Sequence, residues 1–237
     1  LDAMENPFAL PPALKRALGE RLAEVAINRY PINKGEVAAA LARHFELPAG
    51  CKLIVGNGSD ELIDLLSVAC HHPQGPRASV LAPLPGFVMY EMSARLRGLD
   101  FVGVPLTAEF ELDEAAMLAA IERERPALTY IAYPNNPTGN LFDERIVERI
   151  VEAVGAQDGL VVFDEAYQPF SSRTWMGRLA AHPHVLVLRT LSKFGLAGVR
   201  IGYLAVVAAV SHQIHNVSPQ YNVFGLKFDL FPIAGVS

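Results

Sequence analysis

The chain has 237 residues, of which 51% are hydrophobic and 19% charged, and its formal net charge is −5. This is ordinary globular usage with enough apolar residues for one substantial core, and an acidic balance without a basic cluster argues against nucleic acid as a partner. Cys51 and Cys70 make no disulfide framework, which points to the cytoplasm, and Leu1 to Pro7 lacks the basic start and apolar run of a secretory leader.

An early helix carries Arg16, Glu20, Arg21 and Glu24 on a solvated face, and its apolar positions are expected to face inward. Beyond it, apolar and β-branched runs predict strands near 53–55, 78–82, 100–104, 127–133, 159–163, 184–188 and 201–207. Helical patterns near 36–46, 60–70, 87–97, 113–124 and 143–155 interleave with them. The alternation predicts an α/β fold built on a mostly parallel seven-stranded sheet flanked by helices. The uncharged stretch from Ile201 to Leu226 is interrupted by His212, Gln213, His215, Asn216, Pro219 and Asn222, so it reads as no membrane span.

Chemistry-bearing residues collect at strand ends. Gly56-Asn57-Gly58-Ser59-Asp60 leads from a strand into a helix, where free backbone N–H groups and the helix dipole favour an anion; Ser59 as a plain N-cap would occupy the same position. The strand at 127–133 empties into Pro134-Asn135-Asn136-Pro137-Thr138-Gly139-Asn140, which is turn chemistry in its own right. Leu160-Val161-Val162-Phe163 delivers Asp164-Glu165-Ala166-Tyr167, and His184-Val185-Leu186-Val187-Leu188 runs into Arg189-Thr190-Leu191-Ser192-Lys193. Thr190, Ser192 and Arg200 offer two hydroxyls and a fixed cation close to the Lys193 amine, a set suited to a phosphate beside a reactive carbonyl. Three strands therefore present Asn136, Asp164 with Tyr167, and Lys193 at one sheet edge, where open α/β sheets place ligands. Taken singly, Lys193 could be a surface lysine and Asp164 a turn former. The close histidine pairs His71-His72, His182 with His184, and His212 with His215 lack a third ligand at matching spacing, so no metal is expected.

The succession Asn-Pro-Thr-Gly, Asp-Glu-Ala-Tyr, Ser-Lys and Arg resembles the fold-type I pyridoxal-phosphate enzymes, the aspartate aminotransferase superfamily. Within it the chain is most similar to the histidinol-phosphate aminotransferase group, on Asn28-Arg29-Tyr30-Pro31, Gly56-Asn57-Gly58-Ser59-Asp60-Glu61-Leu62, Pro85-Gly86-Phe87-Val88-Met89-Tyr90 and Arg189-Thr190-Leu191-Ser192-Lys193. The likeness spans roughly residues 1 to 223.

That resemblance implies pyridoxal 5'-phosphate as cofactor, bonded covalently through Lys193, which then serves as the base at the substrate Cα. It implies that Asp164 pairs with the pyridine nitrogen, that Tyr167 and Asn136 hydrogen-bond the phenolic oxygen, and that Phe87, where many relatives have Tyr, covers the ring face. Ser59, Asp60, Thr190, Ser192 and Arg200 would surround the phosphate, Asp60 more through its backbone N–H than its carboxylate. Arg200 follows Lys193 by seven positions where many members have eight. Tyr30 would be lent across a homodimer interface. The implied reaction takes histidinol phosphate and 2-oxoglutarate to imidazole acetol phosphate and glutamate; aromatic amino acid transamination, threonine-phosphate decarboxylation and a non-catalytic remnant are the alternatives. The implied organisation is an arm and dimer-contact segment at 1–35, a cofactor-binding large domain at 36–223 and a tail of no assigned identity at 224–237. The family's small C-terminal domain is expected to be missing or incomplete, and turnover by the chain alone to be impaired.

Overall fold

A computed structural model describes residues 4–26, 28–29, 34–72 and 74–215. In chain order the elements are α1 (Pro12–Ala23), α2 (Lys34–His44), β1 (Cys51–Asn57), α3 (Ser59–Cys70), β2 (Ser79–Leu84), α4 (Met89–Leu96), β3 (Asp100–Pro105), α5 (Glu114–Glu124), β4 (Leu128–Ala132), α6 (Glu144–Gly155), β5 (Leu160–Asp164), β6 (Val185–Thr190), β7 (Ile201–Val207) and α7 (Ala208–His215). The strands form one seven-stranded sheet in the order β1-β7-β6-β5-β4-β2-β3. Only β7 runs against its neighbours, pairing antiparallel with both β1 and β6.

Period-2 alternation splits the core between the two faces of the sheet. Val161 and Phe163 of β5 and Val185 and Val187 of β6 join the side covered by α2, α5 and α6. Val162 of β5 and Leu186 and Leu188 of β6 join the side covered by α3, α4 and α7. Helix α6 shows why the helices dock: Val147, Ile150, Val151 and Val154 fall on one stripe and are all buried, while the Asp143 side chain accepts the Arg145 N–H at its start.

The early helix departs from expectation. Its stripe of Leu14, Ala17, Leu18 and Leu22 is only half-buried, and α1 buries no residue fully. Amphipathic spacing specifies which face is apolar, but the depth of burial depends on what packs there.

The antiparallel course of β7 governs the site. Six strands point their carboxyl ends to one edge; β7 brings its amino end, with Arg200 and Gly202, to that same edge. Gly202 pairs with Gly56 on one side and Thr190 on the other. A Cβ there would lie 2.4 Å from the Gly58 carbonyl carbon and 2.6 Å from the Ser59 nitrogen, so glycine is required for the α3 entry turn to settle on β7.

Candidate active site

One cleft of about 180 Å³ opens at this edge. It is lined by Ser59, Asp60, Phe87, Asn136, Asp164, Tyr167, Thr190, Ser192, Lys193 and Arg200. These are all the candidate residues from the sequence except Tyr30, which lies outside the described residues. Tyr90, Ala132, Pro134 and Ala166 complete the lining.

Asp164 ends β5 on the α3/α4 face, because it shares parity with Val162. It is 5% exposed, its Oδ1 accepts the Ala166 N–H at 3.0 Å, and its Oδ2 accepts the Tyr90 hydroxyl at 2.7 Å. This carboxyl is pushed up to about 6, chiefly by burial, with the charges of Asp60 and Glu165 adding to the rise and the two hydrogen bonds opposing it. Tyr90 stands three positions beyond Phe87, one turn along the chain, and sequence reasoning gave it no role. The available signal was a tyrosine on the buried face of a predicted helix beside the Phe87 loop.

Asn136 is placed by its neighbour. The buried Asn135 donates its side-chain amide to Thr138 Oγ1 at 2.7 Å and to the Pro85 carbonyl at 3.4 Å, and its backbone N–H to the Asn140 carbonyl at 2.9 Å. The loop after β4 is thereby closed on itself and tied to the loop that carries Phe87. Phe87 meets the Tyr90 ring edge-on at 5.6 Å. Tyr167 lies just beyond β5 with its hydroxyl donated to Met4 Sδ at 3.2 Å, and burial, followed by the Asp164 charge, pushes its phenol up. Lys193 Nζ lies 5.6 Å from the Tyr167 ring centroid.

The anion-favouring half comprises the α3 start and the β6–β7 connection. Gly58, at φ 85°, is the N-cap of α3 and supplies no side-chain cap, so Ser59 is the first helical residue rather than the cap. Glu61 Oε2 reaches back to accept the Asn57 N–H at 2.6 Å. Thr190 Oγ1 lies 3.0 Å from Ser192 Oγ and accepts the Ser192 N–H at 3.1 Å. The chain then makes a helical turn over Ser192–Leu196, broken at Gly195 with φ 105°, and reaches Arg200, itself at φ 53°. Arg200 packs over Gly58, where a Cβ would come within 2.6 Å of its guanidinium, and sits 3.4 Å from Asp60 Oδ2. The carboxylate that would repel an anion is thus directed at the guanidinium.

Behind Asp164, Glu165 points to the opposite face. It is fully buried and accepts from Arg189 Nε at 2.9 Å, Thr174 Oγ1 at 2.8 Å and the Trp175 N–H at 2.6 Å. Arg189, the first residue of the Lys193 motif, also donates to Thr174 Oγ1 at 2.9 Å. This network joins the ends of the two strands that carry Asp164 and Lys193, and sequence reasoning did not find it. Among the described residues no cluster of His, Cys, Asp or Glu could hold a metal, no helix is long and apolar enough to cross a membrane, and Cys51 and Cys70 are both free thiols.

A buried carboxylate, a lysine and an uncapped helix N-terminus converge at the carboxyl edge of an open α/β sheet, which is where proteins of that class place their ligands. Residues 1–228 match the family model for aminotransferase class I and II, and the chain belongs to that family. It is 66% identical over 224 residues to a histidinol-phosphate aminotransferase of Methylibium petroleiphilum, covering 94% of this chain and 60% of that protein. It is 62% identical over 229 residues to one from Paracidovorax citrulli, covering 94% and 62%. The chain therefore spans about three fifths of the length of these curated relatives. Among solved structures, histidinol-phosphate aminotransferase from Sinorhizobium meliloti in complex with pyridoxal-5'-phosphate superposes with a TM-score of 0.83 at 27% identity, covering 99% of this chain and 62% of that one.

Proposed function

We propose that this chain is the cofactor-binding part of a pyridoxal-phosphate aminotransferase whose amino donor is histidinol phosphate. In this reading residues 36–223 are the large domain, 1–35 an arm and dimer-contact segment, and 224–237 a tail without an assigned role. The observation that carries it is the convergence of Lys193, the buried Asp164 and the uncapped start of α3 with Arg200 on one cleft.

The residues present fit the cofactor. A carboxylate that burial has raised to about 6 gains a favourable partner in a cationic ring nitrogen. An uncapped helix N-terminus beside Arg200 and the hydroxyls of Ser59, Thr190 and Ser192 suits a phosphate. When bound, the cofactor supplies an electron sink for the pair released as the amino donor loses its Cα proton.

Lys193 would hold the cofactor through its amine, and the same amine would be the group placed to move a proton at the donor Cα. Asp164 would accept the ring N–H and favour the cationic form of that nitrogen. Tyr167, held protonated by burial and the Asp164 charge, would donate to the phenolic oxygen in place of Met4 Sδ, together with the Asn136 amide. Phe87 covers one ring face. Ser59, Thr190, Ser192, Arg200 and the backbone N–H of Asp60 would hold the phosphate, with the Asp60 carboxylate turned to Arg200 as it is in the cleft. Tyr30, which lies outside the described residues, would be lent to the phosphate of a second copy across a homodimer interface. The acceptor is 2-oxoglutarate, the products are imidazole acetol phosphate and glutamate, and the compartment is the cytoplasm, where two unbridged thiols are at home.

Borohydride reduction followed by peptide mass mapping should place pyridoxal phosphate on Lys193; modification of another lysine, or of none, would sink the assignment. A half-reaction with histidinol phosphate should convert the absorbance to that of the amine form, and 2-oxoglutarate should restore it. Faster conversion by aromatic amino acids than by histidinol phosphate would overturn the donor.

A further inference from the structure

We infer that Tyr90 is a positioning residue for this reaction: from α4 its hydroxyl fixes the orientation of the Asp164 carboxylate and stabilises its charge for a cationic ring nitrogen. The inference rests on reading the cleft as a pyridoxal phosphate site.

The geometry leaves the carboxylate little freedom. Its two oxygens each have one donor, the Ala166 N–H at 3.0 Å and the Tyr90 hydroxyl at 2.7 Å, so rotation about Cβ–Cγ breaks both bonds. The Tyr90 ring is itself immobilised: it is 2% exposed, stacked on Tyr130 with centroids 4.3 Å apart at 8°, and met edge-on by Phe87 at 5.6 Å. A rigid donor held by packing delivers its hydrogen bond without further ordering cost. The same tyrosine thus links Phe87, assigned to the ring face, to Asp164, assigned to the ring nitrogen.

The charges around Asp164 make that donor consequential. Asp60 of α3 and the adjacent Glu165 disfavour its ionised form, as does burial, whereas the Tyr90 and Ala166 bonds favour it. Tyr130 of β4, Tyr167 beyond β5, Lys193 after β6 and Arg200 before β7 are the other titratable or charged groups of this neighbourhood. Without the hydroxyl, Asp164 would be neutral over more of the working pH range, and a neutral acid does not hold a pyridinium proton.

Tyr130 provides an internal control, because its hydroxyl is buried beside Tyr90 with no hydrogen-bond partner among the described residues. The test is an aspartate 13Cγ NMR titration of the cofactor-free chain, with the Asp164 resonance identified by its disappearance in Asp164→Asn. Tyr90→Phe keeps both ring contacts and should raise the Asp164 midpoint by about one pH unit, the effect of losing one hydrogen bond to a buried charge. Tyr130→Phe should leave the midpoint unchanged. Affinity for pyridoxal phosphate should fall about threefold near pH 6.5 in Tyr90→Phe and converge with the parent above about pH 8. An unchanged midpoint in Tyr90→Phe, or equal shifts in both variants, overturns the inference. A chain that shows the midpoint shift but takes up no pyridoxal phosphate overturns the site reading, and with it the role in the reaction, while the Tyr90–Asp164 coupling stands.

Discussion

Asp164 and Glu165 are adjacent in the chain and both buried, yet they belong to opposite faces of the sheet and have opposite circumstances. Glu165 meets Arg189 at 2.8 Å and two further donors, so its desolvation is offset by a cation inside the fold. Asp164 has a tyrosine hydroxyl and a backbone N–H, and the charges acting on it, those of Asp60 and Glu165, are both negative. Burial raises both carboxyls, but only the second is left to be matched by something from outside. A carboxylate completed by the fold serves stability; one completed by a ligand marks a site.

Four substitutions would break or sharpen this contrast. The largest effect is expected for Lys193→Ala on the ligand side: the half-reaction should slow by about 10⁴-fold or more in single-turnover absorbance, with the urea midpoint almost unchanged. Loss of folding instead would mean that the cleft is part of the stability framework.

Arg189→Met on the other face should have the reverse character. It leaves Glu165 buried without its cation and should cost about 3–5 kcal/mol in urea unfolding. A change below about 1 kcal/mol would remove the distinction between the two carboxylates.

Asp164→Asn addresses the pH dependence of the cofactor-free chain. The folded carboxyl titrates near 6 against an ordinary 3.8, so the folded state binds more protons between those values, and stability must fall as pH rises through that window. The displacement corresponds to a loss on the order of 3 kcal/mol. In the variant this part of the slope should vanish from thermal unfolding measured between about pH 4 and 7; an unaltered slope would place the titrating group elsewhere. Saturating pyridoxal phosphate should flatten the same slope in the parent chain.

Gly202→Ala is expected to have the smallest effect. Its methyl would press on the Gly58 and Ser59 backbone, which cannot yield as a flexible side chain would, costing about 1–3 kcal/mol and displacing the α3 entry. Weaker binding of inorganic phosphate than in the parent chain would tie the anion-favouring half to that close approach.

Local pattern made most elements readable. The strand at 201–207 agrees with β7 to the residue, and the remaining strands and the predicted helices agree within a few positions, because apolar periodicity and turn residues act over short range. Nine of the ten candidate residues in the cleft stand at or shortly after the carboxyl end of a strand, and those ends share an edge in a parallel sheet; Arg200 comes instead from the amino end of the reversed β7. Tyr90 and the Glu165–Arg189 pair were not legible in this way. Their partners lie 74 and 24 positions away, and no local spacing encodes a contact across strands.

By itself, then, the sequence determined the succession of elements and the residue types at their ends. Three things awaited the tertiary structure: the reversal of β7 that carries Arg200 and Gly202 to the carboxyl edge, the shallow burial of α1, and the division of Asp164 from Glu165 between a cleft and a closed ion pair. Each depends on which distant strand or helix supplies the neighbour. A side-chain period of two specifies that adjacent carboxylates must part, but only the packed sheet decides which of them meets an arginine.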